Sequence, residues 1–482
     1  MNVVHNLALA YSIVAFVYFA ILNSVYLLLT FLAWRDMGAE VRARRYLALD
    51  EMFRSPLTPG VSVLVPAFNE EPVIVESVRS LLVLRYPRHE VVVVNDGSGD
   101  GTLAALQRAF DLAPVRLALR DLIPTARVRA TYVSRAHHGL VVVDKENGGR
   151  SDALNAGINA ARQPYVCVID ADSLLEPDAL LKVSKPILDD PNVLAATGGT
   201  IRIANGSRVD HGRVVEARVP TSRLATIQVL EYFRAFLVAR VGWSKLNALG
   251  IISGAFGLFH RSLVETVGGY WTDTVGEDFE LTIRLHRHLR DRGEPYRIAF
   301  ISDPVCWTEA PEQLATLARQ RRRWQRGLWE GIRRHLRMVG NPRYGVIGLV
   351  AMPYFLLFEF LSPLFALGGL VVTVVLWLLG SLPTAYFVSF LLVSIVLGLV
   401  LTTAALALEE FSYQRYRRWR EIARLLAYAV LENLGYHQLH DVWRTLGYVD
   451  ILRGKTAWGT QQRRGFSTPD EAPAVPGEKT PS

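Results

Sequence analysis

Between Leu7 and Trp34 the chain is apolar almost throughout and carries no charged residue. As a helix rising 1.5 Å per residue, these roughly 28 residues can cross a bilayer with some tilt. A cleaved signal peptide would have a shorter core, follow basic residues and end in a small-residue cleavage site, and none of these is present. The nearest basic residues, Arg35, Arg42, Arg44 and Arg45, come after the stretch. The positive-inside rule therefore puts the N-terminus outside and the next domain in the cytoplasm.

A second apolar region follows Gly340. Tyr344 to Gly380 is long and interrupted by Pro353, Glu359 and Pro363, whereas Ala385 to Leu408 is cleaner. Gly380-Ser381-Leu382-Pro383 makes a tight turn between them. The basic run Arg415 to Arg420 comes next, so one out-and-back hairpin returns the chain to the cytoplasm. Leu425–Leu452 is half apolar but holds Glu432, His437, His440, Asp441 and a central Gly435, which predicts an interfacial or re-entrant helical hairpin. The last residues, rich in Pro, Glu, Thr and Ser, predict a disordered tail. The expected division is a membrane helix over 1–36, a linker over 37–59 and a catalytic domain over 60–340. Membrane helices over 341–410, a basic loop with interfacial or re-entrant helices over 411–455, and a cytoplasmic tail over 456–482 follow.

The balance of 53 Lys and Arg against 45 Asp and Glu gives a net charge of +8. That excess suits anionic lipid or an anionic substrate. No nucleic-acid module accompanies it, so nucleic acid is not an expected partner. The only cysteines, Cys167 and Cys306, exclude a disulfide framework and a thiolate metal site.

From about Gly60 to Gly340 strands and helices alternate. Val61–Pro66, Val91–Asn95, Val141–Val143 and the run from Tyr165 read as strands, and Glu70–Val83 and Ser151–Arg162 as helices. This order predicts an α/β fold with a doubly wound, mostly parallel sheet. Residues 120–139, with Pro, Arg and His, read as a surface insertion. The stretch Tyr165 to Asp172 ends a buried strand in two carboxylates, Asp170 and Asp172. Ligands gather at the carboxyl ends of such strands, and two hard oxygen donors suit Mg²⁺ or Mn²⁺ bound with phosphates. A strand followed by an Asx turn would look the same.

Four further clusters stand in order. Pro66-Ala67-Phe68-Asn69-Glu70 leaves the first strand, and Asn95-Asp96-Gly97-Ser98 leaves the second. Each fits a nucleotide cradle, and each also fits an ordinary turn or helix cap. Gly276-Glu277-Asp278 opens a helix to about Arg290, where first-turn carboxylates also suit the helix dipole. In the predicted helix Pro311–Arg337, Gln320, Arg323 and Trp324 share one face at i, i+3 and i+4. They offer an amide, a guanidinium for a diphosphate and an indole on which a sugar can stack, although a basic helix on a membrane surface is the plainer reading.

Taken in order and flanked by membrane helices, these motifs resemble the processive family-2 glycosyltransferases, which include poly-N-acetylglucosamine, hyaluronan, chitin-oligosaccharide and cellulose synthases. The resemblance covers about residues 60–340. It implies a GT-A-like domain with donor-binding residues Pro66, Phe68, Asn69, Glu70, Asp96, Arg150, Asp170, Gln320 and Arg323. Phe68, Glu70 and Asp96 would hold the uridine. Asp172, with Asp170, would ligate Mg²⁺ or Mn²⁺. Asp278, beside Glu277, would be the catalytic base, and Gly254, Phe256 and Trp324 would meet the acceptor. Arg150 stands where relatives usually carry Lys, a change that keeps charge but alters phosphate geometry. The helices Leu224–Leu237 and Leu314–Leu336 would lie at the bilayer surface under the catalytic domain.

The implied protein is a multi-pass inner-membrane enzyme with a cytoplasmic catalytic domain. Its partners would be a UDP-sugar donor (UDP-N-acetylglucosamine ahead of UDP-glucose), a growing polysaccharide, the lipid bilayer and envelope export proteins. Transfer of a single sugar to a polyprenyl phosphate or other lipid is the alternative. A non-enzymatic membrane subunit is a third class, disfavoured by the full set of carboxylates. The enzyme reading requires Asp96, Asp172, Asp278 and Trp324 around one cavity.

Overall fold

The computed structural model describes residues 2–43, 49–190, 193–210, 212–416 and 418–455. The predicted tail over 456–482 lies outside these residues.

Twelve strands form in the described residues. They are β1 (Val61–Ala67), β2 (His89–Asp96), β3 (Leu112–Pro114), β4 (Val128–Ser134), β5 (Leu140–Lys145), β6 (Tyr165–Ile169) and β7 (Leu174–Leu175). After these come β8 (Leu194–Ile203), β9 (Arg208–Asp210), β10 (Arg213–Glu216), β11 (Phe256–His260) and β12 (Arg297–Thr308). Ten build one sheet in the order β3-β4-β5-β2-β1-β6-β11-β8-β12-β7, while β9 and β10 form a separate hairpin. The block β5-β2-β1-β6 is parallel, and Val63 stands opposite both Val91 and Cys167. Parallel strands covered by helices on both faces need continuous apolar runs. Val91 to Val94 and Val166 to Ile169 supply them and are fully buried.

The stretch over 120–139 is not a surface insertion. Val128–Ser134 pairs antiparallel with β5 and extends the sheet. Its half-buried pattern, with Arg129 outward, is what an edge-side strand carries, and a charged strand of that kind is hard to tell from a loop. The helix expected over Glu70–Val83 is confined to Ile74–Leu82, because Val73 and Ile74 first close a turn onto the Glu70 carbonyl.

The N-terminal helix runs from Asn2 to Ala43 and leaves Ile13, Phe16, Ile21 and Phe31 exposed. Among the described residues two helical segments are long and apolar enough to cross a membrane, Ile13–Ala39 and Ile395–Ser412. Ile347–Phe360 and Ser362–Leu378 together make a third candidate, bent by 45°. Pro363 in the first turn of the second piece suits that break. The hairpin expected over Leu425–Leu452 forms as Trp419–Leu431 and His437–Leu452, which part at Leu434 and at Gly435, whose φ is 107°. Its second helix packs on the helices Leu314–Arg334 and Ser362–Leu378.

The segment expected at the bilayer surface, Leu224–Leu237, is instead buried at Ala225 through Leu230 without a break. It continues as a π-helical stretch, Phe233–Arg240, against the N-terminal helix and the helix Thr384–Ser412. One ion pair ties the sheet to that last helix. Arg202 of β8 bonds Glu409, both side chains being almost fully buried, with the rings of Phe233, Trp307 and Tyr413 around the guanidinium. Neutralising one member of a buried pair leaves the other charge uncompensated and costs about 3–5 kcal/mol. Glu409→Gln should therefore lower the unfolding midpoint in detergent markedly, and the double change Arg202→Met with Glu409→Leu should recover most of the loss.

Candidate active site

β6 ends at Ile169, and the chain turns at once, with the Ser173 amide donating to the Asp170 carbonyl at 3.0 Å. Asp170 and Asp172 thereby face a cavity of about 1130 Å³. The same cavity is lined by Arg150, Gly254, Glu277, Asp278, Gln320, Arg323 and Trp324. Residues more than 170 positions apart in sequence thus share one space.

Arg150 joins three of the elements around it. Its Nε and Nη2 donate to Asp170 Oδ1 at 3.0 and 2.8 Å, Nη1 donates to Glu277 Oε1 at 2.5 Å, and Nη2 also donates to the Gly254 carbonyl at 2.7 Å. A lysine could not span these partners, because the planar guanidinium holds several donors in a fixed fork. Two carboxylates beside it push its pKa up despite burial.

Glu277 and Asp278 open the helix Glu277–Arg292. Burial pushes the Glu277 carboxyl up to about 7, with Arg150 opposing and Asp278 reinforcing the rise. Asp278 accepts from the Phe279 amide at 2.8 Å and from the Gly254 amide at 3.3 Å. The helix Leu314–Arg334 crosses close by. A Cβ on Gly276 would lie 2.7 Å from the Gly327 backbone, and one on Gly327 would lie 2.7 Å from Gly276 Cα. Glu330 secures the crossing by accepting from Thr274 Oγ1 and the Val275 amide at 2.8 and 2.9 Å. This contact sets Asp278 across from Gln320, Arg323 and Trp324. Burial pulls the Arg323 guanidinium down, and Glu277 and Asp170 pull it back. Trp324 is 44% exposed, so an indole face is open to the cavity. Behind it the Arg321 guanidinium lies 4.4 Å from the ring centroid, paired with Glu231.

The remaining expected residues sit elsewhere. Pro66, Phe68, Asn69 and Glu70 lie at the carboxyl end of β1 and do not line this cavity. Phe68 is half exposed there. Asn69, at φ 57°, clamps the neighbouring loop: its amide donates to Ser98 Oγ at 3.0 Å and its Oδ1 accepts from the Gly99 amide at 2.8 Å. Of the four residues required around one cavity, Asp172, Asp278 and Trp324 share it and Asp96 does not: it is buried behind the loop that leads to Arg150, and reaches the site only through that loop. It accepts from Lys145 Nζ at 2.5 Å and from the Gly148 and Gly149 amides at 3.0 and 2.8 Å. Phe256, assigned to the acceptor side, is in the core of β11 against Gly199. It does not line the cavity.

Lys145 escaped the sequence reading. It is fully buried and pairs with both Asp96 and Asp152 at 2.5 Å. A charged residue closing an apolar strand was the available signal. The cavity also continues past Arg240, Glu231, Arg234, His437 and His440 to Leu22, Tyr26, Glu359, Leu401 and Thr402, on helices that can cross a membrane. Glu359 accepts there from Tyr354 and Tyr26 at 3.4 and 3.5 Å.

Among the described residues no three His, Cys, Asp or Glu side chains could hold a metal by themselves. The Asp170 and Asp172 pair does suit a Mg²⁺ or Mn²⁺ that takes its other ligands from water and a diphosphate. Residues 59–327 match the family described as glycosyltransferase like family 2. The chain belongs to this family. It is 29% identical over 323 residues to the poly-beta-1,6-N-acetyl-D-glucosamine synthase of Staphylococcus aureus (strain COL), covering 67% of this chain and 65% of that protein. A synthase of the same name from Staphylococcus epidermidis is 30% identical over 269 residues, 56% of this chain and 54% of its own. The aligned region thus spans under two-thirds of these relatives' length. A mannosyltransferase from Pyrobaculum calidifontis, solved with GDP-mannose and Mn²⁺, superposes with a TM-score of 0.51 at 23% identity. The superposition covers 89% of this chain and 99% of that one, and shows a GT-A-like fold.

Glu277 couples the stability of the fold to pH. Its folded pKa of about 7 exceeds the ordinary 4.5, so between those values the folded protein holds a proton that the unfolded chain has released. This group's contribution to stability is present below about pH 4.5 and declines as pH rises to 7. Glu277→Gln should flatten that decline in unfolding midpoints measured from pH 5 to 8.

Proposed function

We propose that this protein transfers sugar from a UDP-sugar to a growing β-linked polysaccharide, with inversion at the anomeric carbon. The observation that carries the reading is the single cavity that joins Asp170, Asp172, Asp278 and Trp324 and then runs on between the membrane helices. UDP-N-acetylglucosamine is the favoured donor, in keeping with the named activity of the staphylococcal relatives. The chain would sit in the inner membrane as a multi-pass protein. Its catalytic domain, about residues 60–340, would be cytoplasmic, with export partners receiving the product.

In this reading the uridine lies toward Phe68 and Glu70, at the carboxyl end of β1, and the diphosphate toward Arg323 and Gln320. Asp170 and Asp172 would hold a divalent cation, which when bound neutralises the departing diphosphate. Arg150 keeps Asp170, Glu277 and the Gly254 loop in register. Trp324 carries the acceptor ring on its open face. Asp278, fixed by two backbone amides, removes the proton from the attacking hydroxyl. The Asn69 clamp and the Lys145 pair give Asn69 and Asp96 a supporting part, as they shape the loops around the donor.

General-base catalysis contributes about 10²–10⁴-fold, so Asp278→Asn should lower transfer by that much. UDP binding should stay as in wild type, read by equilibrium binding beside a radiolabel transfer assay. EDTA should abolish transfer, and Mg²⁺ or Mn²⁺ should restore it.

Product length decides between this reading and single-sugar transfer to a lipid phosphate. Purified protein given UDP-N-acetylglucosamine should yield a ladder or a polymer, and Trp324→Ala should shorten it. A lone glycolipid would establish the alternative.

A further inference from the structure

The membrane-side half of the cavity holds a cation that the chemistry above does not use. Arg240 closes the π-helical stretch Phe233–Arg240 and lines the cavity together with Asp278, Trp324 and Glu359. Its guanidinium carbon lies 3.8 Å from the centroid of the Phe236 ring, which supports one face of the fork. Among the described residues no carboxylate pairs with it, and its buried Nε has no hydrogen-bond partner. Other cavity arginines each have a carboxylate partner: Arg150 has Asp170 and Glu277, Arg234 has Glu432 at 2.6 Å, and Arg321 has Glu231. Burial pulls the Arg240 guanidinium down to about 10, and the charges of Asp278 and Glu359 are near enough to oppose that.

A partly desolvated guanidinium with open donors is costly unless something supplies oxygen acceptors. The diphosphate end of the site is already provided with Arg323 and the Asp170 and Asp172 pair. Arg240 reaches the cavity from the π-helical stretch Phe233–Arg240, where the charges it meets are those of Asp278 and, beyond it, Glu359. Its ligand there is therefore a neutral, oxygen-rich group, and a pyranose with adjacent hydroxyls or an acetamido carbonyl matches a planar fork.

We propose that Arg240 binds the acceptor, its guanidinium donating to hydroxyl or amide-carbonyl oxygens of the sugar chain carried on Trp324. The assignment rests on the glycosyl-transfer reading above.

The test uses the full chain in nanodiscs, with UDP-N-acetylglucosamine as donor and N-acetylglucosamine oligomers as acceptors. Arg240→Gln should raise the acceptor KM on the order of tenfold to a hundredfold, the size expected for losing hydrogen bonds from a charged group. Donor KM and UDP affinity should match wild type. Arg240→Lys should recover part of the acceptor KM and serves as the folding-tolerant variant. An acceptor KM for Arg240→Gln within twofold of wild type would overturn the assignment. So would a donor KM that rises in step with it, or loss of UDP affinity in both variants, since either places Arg240 elsewhere in the machinery. Wild-type protein that binds UDP-sugar but transfers none would instead refute the glycosyl-transfer reading, and the assignment with it.

Discussion

The site depends on the fork of Arg150. One guanidinium meets the carboxylate that ends β6, the carboxylate that opens the helix Glu277–Arg292, and the carbonyl of Gly254. These groups come from three separate parts of the chain, and nothing else described links all of them. Without the cation, Asp170, Glu277 and Asp278 would bring like charges together in a half-buried space, a costly arrangement. The fork therefore supplies both geometry and charge balance. Asp96 and Lys145 fix the loop from which Arg150 springs, so the buried pair behind the site acts on it indirectly.

The second constraint is steric. Helices carrying Asp278 and Trp324 approach until glycine meets glycine, and no side chain fits at Gly276 or Gly327. Close approach of this kind leaves few ways for the two helices to slide. Asp278 and Trp324 are consequently held at one separation. Below them the cavity passes between helices suited to a bilayer, with Arg202 and Glu409 tying the sheet to one of those helices. A soluble transferase has no need for such a tie. In this chain it makes the catalytic domain and the membrane helices one packed body.

Much of the architecture was legible because period and composition report burial directly. The apolar runs at Val91 and Tyr165 announced buried parallel strands, and the uncharged stretch from Leu7 announced a helix long and apolar enough to cross a membrane. The strand Val128–Ser134, second from the sheet's edge, was not legible, since a strand half in water carries Arg129 and resembles a loop. Phe256 shows the opposite failure. A motif placed it near the acceptor, but its ring is in the core. Lys145 and Arg240 stayed hidden because a single charge in an apolar neighbourhood has no periodic signature.

By itself, the sequence determined the alternating α/β order, the membrane segments and which carboxylates end which strands, because each is a local property of spacing and polarity. Which of those carboxylates meet was decided by the tertiary structure alone. Strand order, the glycine-to-glycine crossing and the reach of Arg150 are relations between distant residues, and they brought Asp278 into the cavity while leaving Asp96 behind it.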